Sequence, residues 1–405
     1  TWATHTLHYG KIVAADGEVI DTGMLVVMAE GRSYTGEETV EISCHGGSLL
    51  TERVLQRIVE AGARLAGPGE FTMRAFLNGK LDLSQAEAVQ RLIGAKNQLA
   101  LNAAEKQLQG HLSKRIGDFQ QKLTHIAAIL EAWVDFPEEG IAFASMEEII
   151  EQLNGVIAEM QALLETFHDG KMIHEGISLC LIGRPNVGKS SLLNALLKQE
   201  RAIVTEIPGT TRDLLEAPMR MGKLYLKLID TAGIRDSEER VEQEGIRRSH
   251  QALQEADVVL LLADATEPFC GALLEQVKEK KHLLVWNKTD LPHTLPEIAH
   301  PFQIRLSAKT GAGLEELKEA IEKLIWHQGA PEKDEVLLTS ERHATALKQA
   351  ISATNHVKEG LVNGVSAEFV VADLRQSLSH LGQIIGTNIG EDILSDIFST
   401  FCIGK

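Results

Sequence analysis

The chain has 405 residues, which predicts two or three domains of ordinary size. Apolar residues make up 44% and charged residues 24%, the balance of a soluble globular protein, and no apolar run reaches the ~20 residues that span a bilayer. The net charge of −17 argues against coating of nucleic acid by bulk electrostatics, so RNA contact needs a local patch or a partner subunit.

Residues 1–80 read as mixed α/β. Short strands at Lys11–Val13, Met24–Val27 and Val40–Ser43 are separated by Gly-rich turns, and a helix from Ser48 to about Ala61 follows Gly46-Gly47. From Leu81 to Phe167 the pattern becomes helical. Leu83, Ala86, Val89, Leu92 and Ile93 recur at helical spacing, followed by Leu99, Ala103, Leu108 and Leu112. Asp82 or Ser84 is placed to cap the first of these helices. A further stripe comprises Met146, Ile149, Ile150, Leu153, Ile157, Met160 and Leu164.

The pattern changes at His174-Glu175-Gly176. Ile177–Ile182 is a continuous buried-strand run, and strands are predicted at Lys223–Ile229, Val258–Ala263, His282–Trp286 and Phe302–Leu306, alternating with helices. That alternation predicts a mostly parallel sheet covered by helices. After Gly329-Ala330-Pro331 the chain turns helical again, through Ala344–Val357 and Ala367–Leu381. The expected division is therefore 1–80, a helical part over 81–174, an α/β domain over 175–329, and a second helical part over 330–405. The four cysteines, Cys44, Cys180, Cys270 and Cys402, form no C-x-x-C pair, which fits a reducing cytoplasm. Cys180 is expected in the core, and His45 beside Cys44 is only a weak metal candidate.

The chemistry concentrates in the α/β domain. Gly183-Arg184-Pro185-Asn186-Val187-Gly188-Lys189-Ser190 matches G-x-x-x-x-G-K-[ST] between a predicted strand and a helix over Ser191–Lys198. Its backbone N–H groups wrap phosphates, Lys189 adds charge, and the Ser190 hydroxyl is a Mg²⁺ ligand. Asp230-Thr231-Ala232-Gly233 ends the next strand, with Asp230 placed to hold Mg²⁺ through a water and Gly233 to sense the γ-phosphate. Asn287-Lys288-Thr289-Asp290 ends a later strand, and the Asp290 carboxylate accepts from the guanine N–H edge. Ser307-Ala308-Lys309 ends the last, its backbone donating to the guanine carbonyl. Four such strings in this order, each at the carboxyl end of a strand, predict a GTP-hydrolysing protein. Within Gly209-Thr210-Thr211-Arg212-Asp213, Thr211 is the expected second Mg²⁺ ligand. Ile234 stands where Ras-like proteins carry the water-orienting Gln, so another polar residue of Asp236–Glu244 must act. Arg212 and Arg235 are finger candidates by proximity alone, with salt-bridging the simpler role.

With its flanks the chain resembles the MnmE (TrmE) family of bacterial and organellar tRNA-modification GTPases. The marks are Tyr34-Thr35-Gly36-Glu37-Glu38, Cys44-His45-Gly46-Gly47, Pro68-Gly69-Glu70-Phe71, Arg74 through Leu83, Asp135-Phe136-Pro137 and the terminal Phe401-Cys402-Ile403-Gly404-Lys405. The resemblance implies a folate-binding, dimerising N-terminal domain, a helical domain, and a GTPase domain inserted into the latter. Family members begin roughly forty residues earlier, counted back from shared motifs by analogy. Those residues carry part of the folate site, so the first domain is expected to be truncated here.

The resemblance further implies a function. With a flavin- and NADH-using partner, MnmG (GidA), the family installs an aminomethyl or carboxymethylaminomethyl group at carbon 5 of the tRNA wobble uridine. A tetrahydrofolate, 5,10-methylenetetrahydrofolate (5-formyltetrahydrofolate as analogue), supplies the one-carbon unit. By motif, Asn186 matches the family's K⁺ ligand, with the backbone of Thr205, Ile207 and Thr210 completing the shell; Glu242 matches its catalytic glutamate. Glu41, Lys80 and Lys405 match folate contacts, and Cys402 is placed for chemistry on a carbon or sulfur centre. The alternative is a switch or ribosome-assembly GTPase without one-carbon chemistry.

Overall fold

The computed structural model describes residues 3–135, 144–199, 216–222, 224–230, 253–298, 300–326, 331 and 335–404. The chain divides into two compact units, one of residues 1–94, 104–165 and 341–405, the other of residues 95–103 and 166–340.

The first unit opens with a three-stranded antiparallel sheet of order β1 (Leu7–Val13), β2 (Val19–Met28), β3 (Thr39–Ser43). The strands are longer than their apolar runs suggest, because polar residues such as Asp21 and Thr22 still pair across the ladder with Ile12 and Lys11. Helices α1 (Ser48–Glu60) and α2 (Glu70–Leu77) follow. Helix α3 (Leu83–Ile93) begins at Asp82, whose carboxylate accepts from Gln85 N while the Gln85 side chain accepts from Asp82 N. This reciprocal cap satisfies two otherwise orphan donors. Ser84, the other candidate, instead donates to Asp82 Oδ1 at 2.8 Å.

Helix α4 (Gln98–Leu108) runs across the boundary between the units. Helices α5 (His111–Asp135) and α6 (Met146–Glu165) complete the first helical run. On α5, Leu112, Ile116, Phe119, Leu123, Ile126 and Leu130 repeat at helical spacing and are all buried. On α6 the buried stripe is Ile149, Leu153, Val156, Ile157, Met160 and Leu163. Met146, in the first turn, is exposed. The C-terminal helices are α11 (Glu341–Val362), α12 (Ala367–Ile385) and α13 (Glu391–Ser399). Helix α12 packs on α11 and α5, and α11 packs on α6.

The second unit holds α7 (Phe167–Glu175), β4 (Ile177–Gly183), α8 (Lys189–Gln199), β5 (Glu216–Met221), β6 (Leu224–Asp230), β7 (Val258–Asp264), α9 (Gly271–Val277), β8 (Lys281–Asn287), β9 (Gln303–Arg305) and α10 (Leu314–Ile325). Its six-stranded sheet has the order β5-β6-β4-β7-β8-β9. All neighbours are parallel except β5 against β6. The edge strand β5 is absent from the sequence expectation. Along β7, Val258, Leu260 and Leu262 enter one apolar core, and Val259, Leu261 and Ala263 the other. A parallel strand covered on both faces must be apolar at every position, which explains its unbroken run. Cys180 is fully buried in the second of these cores.

Candidate functional site

The phosphate-loop string occupies the carboxyl end of the central strand β4, with β6 on one side and β7 on the other. The chain reverses its direction of strand addition there, which leaves a crevice at the strand ends. Gly183 ends β4, and Lys189, Ser190 and Ser191 open α8. Between them Asn186 (φ 63°) and Gly188 (φ 96°) take left-handed backbone. Successive turns of this kind point backbone N–H groups into one concavity, an anion cradle at a helix N-terminus. Val187 anchors the loop in the core at 3% exposure, and Lys189 Nζ donates to Gly183 O at 2.8 Å and Arg184 O at 3.0 Å. A Cβ on Gly188 would collide with the Asn287 amide, so that position requires glycine for space as well as for φ.

Asn287, the last residue of β8, is buried and bridges two loops. Its Nδ2 donates to Val187 O at 2.8 Å, and its Oδ1 accepts from Ala308 N at 3.0 Å. One amide therefore joins the phosphate loop to the Ser307-Ala308-Lys309 segment. Asp290 is exposed, and its Oδ1 accepts from the buried Ser307 hydroxyl at 2.7 Å. That bond holds the Asp290 carboxyl below the usual carboxylate range, which keeps it an ionised acceptor near neutral pH. Ser307 Oγ also accepts from Thr310 N at 3.2 Å, fixing the turn that carries Ala308 and Lys309. The structure thus brings Gly183–Ser191, Asn287–Asp290 and Ser307–Lys309 to one edge of the sheet.

Asp230 ends β6 at the same edge, its backbone paired with Leu181. Thr205, Ile207, Thr210, Thr211, Arg212, Thr231, Ala232, Gly233, Ile234, Arg235, Glu242 and Lys405 lie outside the described residues. Ser190, exposed in the first turn of α8, suits a hard cation, since Mg²⁺ takes oxygen ligands.

In the first unit, Glu41 is exposed on the edge strand β3, opposite Val26. Lys80 is also exposed, and its Nζ donates to Gly31 O at 2.9 Å. Cys402 is exposed, and its backbone joins the Pro68-Gly69 turn: Gly69 N donates to Cys402 O at 3.3 Å, and Pro68 bridges to Ile403. Phe398 and Phe401 are buried with Leu83 and Ala86 beneath that turn. Gln90 Nε2 also holds the carbonyl of Thr400 at 2.8 Å. His45 is bound to Asp21 through both its backbone N and Nδ1, each at 2.9 Å.

Sequence reasoning missed two ionic groups near the candidate site residues. Glu70 accepts from Arg64, Arg74 and Gly67 N, and Arg74 reaches on to Glu37 at 2.6 Å. Arg64's hydrogen bonds, with those of Gly67 and Arg74, hold the Glu70 carboxyl far below its ordinary value. The second is Asp264, buried at the end of β7 and paired with Lys288 at 2.6 Å. An aspartate closing the apolar string Val258-Val259-Leu260-Leu261-Leu262-Ala263 was the available signal.

Comparison with known proteins agrees with this geometry. The model of the TrmE N-terminus matches residues 1–80, and that of the MnmE helical domain matches residues 83–402. The tRNA modification GTPase MnmE of Protochlamydia amoebophila is 56% identical over 100% of this chain and 89% of its own length. Its counterpart from Aquifex aeolicus is 45% identical over 98% of this chain and 90% of its own. That from Chlamydia felis is 44% identical over 100% and 90%. With two adjoining family models matched along its length and a GTPase-type loop system at the sheet edge, the chain belongs to the MnmE (TrmE) family.

Proposed function

We propose that this protein is a GTP hydrolase acting in tRNA modification, and specifically the GTPase component of wobble-uridine modification. The observation that carries the GTPase reading is the Asn287 amide, which ties the phosphate loop to the base-reading segment beside Asp290. Gly183–Ser191 hold the phosphates, Ser190 and Thr211 hold Mg²⁺ with Asp230 acting through water, and Asp290 with Ser307–Lys309 reads guanine. The Lys189 ammonium adds charge at the outer phosphates, where negative charge develops. Asn186, with Thr205, Ile207 and Thr210, is assigned to K⁺, and Glu242 to orienting the attacking water.

Glu41, Lys80 and Lys405 are assigned to a reduced folate, which when bound supplies a one-carbon unit. Both described members of that set are exposed on the first unit. Docking of the Cys402 segment on the Pro68-Gly69 turn supports placing its thiol beside this domain. A homodimer and a flavin-dependent MnmG-type partner complete the proposal, in the cytoplasm, with the 1–80, 81–174, 175–329 and 330–405 division of the chain. Among the described residues, no helix is long and apolar enough to cross a membrane.

Mass spectrometry of tRNA nucleosides tests the reading, in a strain lacking this gene and restored with wild type or Asp290→Asn. Restoration of the carbon-5 group by wild type and its loss with Asp290→Asn is the expected result. Unaltered wobble uridine in the deletion strain would favour the assembly-switch alternative.

A further inference from the structure

Asp264 lies outside every motif that marks the nucleotide site, yet its carboxylate is fully engaged there. It ends β7 opposite Asn287, and Ala265 N donates to Asn287 O at 2.9 Å, so the two strand ends are locked in register. Asp264 Oδ1 accepts from Thr266 N at 2.9 Å and Thr266 Oγ1 at 2.7 Å. These bonds fix the carboxylate rotamer and aim Oδ2 at Lys288 Nζ, 2.6 Å away. Burial alone would raise the Asp264 pKa, but the bonds from Lys288 and Thr266 outweigh it and keep the group below its ordinary value. Lys288 itself sits at φ 64°, a conformation that a side-chain-bearing residue adopts only when its surroundings impose it. Its side chain is one-third exposed, so the four-carbon stem lies along the surface with its head tethered. Two residues on is Asp290, braced by Ser307.

We propose that Asp264 is a positioning residue for the purine: by clamping the Lys288 ammonium, it holds the Lys288 stem as one wall of the slot in which Asp290 reads the base. The inference rests on the assignment of Asn287–Asp290 as the base reader. The protein's bonds at Asp264 leave Lys288 little other recourse, since Thr266 occupies Oδ1 and Asn287 is spent on the two loops. A preformed wall lowers the ordering cost of nucleotide binding without touching the phosphates. The clamp should therefore affect affinity for GTP and GDP alike and leave the chemical step alone.

The test uses the full chain with fluorescent GDP, competition by GTP, and turnover at saturating GTP. Asp264→Asn sets an amide donor against the Lys288 ammonium. Lys288→Met cuts the same pair from the other end, keeps the stem, and leaves the Thr266 turn intact. Each should weaken GDP and GTP binding about fivefold to tenfold, and Asp264→Asn should keep kcat within about twofold of wild type. The double variant should be no weaker than about twofold beyond either single one, because one bond is being cut twice. Wild-type affinity in Lys288→Met, or additive losses in the double variant, would overturn the clamp. Asp290→Asn is run in parallel: if it too binds GTP as wild type does, the base-reader assignment fails instead. Should Asp264→Asn not fold, the Lys288→Met result decides alone.

Discussion

Replacing Asn287 tests whether one buried amide organises the nucleotide site. Asn287→Ala removes the bonds to Val187 O and from Ala308 N, at 2.8 and 3.0 Å. Val187 is buried and Ala308 half-buried, so both backbone groups lose a partner that water replaces poorly. At about 1–3 kcal/mol for each stranded group, the loss is about 2–6 kcal/mol. For a unit of this size, about 2–4 °C is lost per kcal/mol, which puts the fall in its melting midpoint at roughly 4–24 °C. Because the amide joins phosphate loop and base-reading segment, GDP affinity should fall by more than about tenfold as well.

Asn287→Asp is the sharper variant. It is nearly isosteric and keeps the acceptor for Ala308 N, but sets a carboxylate oxygen against Val187 O. The Ser307–Lys309 segment should stay in place while the phosphate loop is released, so nucleotide affinity falls with no cavity formed. Differential scanning calorimetry and equilibrium binding of fluorescent GDP read both effects. An Asn287→Asp protein with wild-type midpoint and wild-type affinity would refute the bridging argument.

Hydrolysis is expected to be faster in K⁺ than in matched Na⁺, and Glu242→Ala to lower turnover by about 10² or more with GTP affinity nearly intact; equal rates in both salts would reject the potassium assignment. Gly69→Ala places a Cβ 2.9 Å from Phe401 Cβ at φ 61°, so the C-terminal segment should lift and Cys402 should react faster with a maleimide; an unchanged labelling rate would count against that docking. Buried Glu87 accepts from Arg342 Nε at 2.8 Å and pairs with His343 at 2.7 Å. Removing it in Glu87→Ala takes the carboxylate from buried His343 and from Arg342 Nε, leaving the guanidinium its carbonyl partners Gln383 and Ile384, and should cost about 3 kcal/mol or more, read as the denaturation midpoint in urea.

The same cluster gives a pH dependence. Burial holds His343 below the usual histidine value despite the Glu87 charge, so it folds neutral. Burial alone would raise Glu87, but His343 and Arg342 reverse this and hold it low. With His343 neutral, Arg342 is the counter-charge to rely on. Both shifts are downward, so the unfolded chain binds more protons and stability falls on acidification. The loss begins below the ordinary histidine value of 6.5 and steepens below the ordinary glutamate value of 4.5. Urea midpoints from pH 8 to 4 check this, and Glu87→Gln should flatten only the lower part; a rise in stability toward pH 5 would contradict it.

What the sequence by itself determined is what local chemistry repeats. Apolar runs marked β4, β7 and β8, because a strand covered on both faces has few polar positions between its ends. The strings Gly183–Ser190, Asn287–Asp290 and Ser307–Lys309 were legible because the phosphate-wrapping and guanine-reading roles proposed for them call for those residue types at those spacings. The cap at Asp82 was legible for the same local reason. Only the tertiary structure decided the rest. Edge strand β5 has one neighbour, so its sequence, Glu216-Ala217-Pro218-Met219-Arg220-Met221, carries no strong period. Glu87 sits inside an apolar helix face because Arg342 and His343, more than 250 residues away, neutralise it there. Asp264 and Lys288 meet because β7 and β8 are paired in register, and Cys402 meets Gly69 because the last helix folds back onto Leu83 and Ala86. Charge pairs of this kind have no periodicity along the chain; their partners are chosen by the packing of elements remote in sequence.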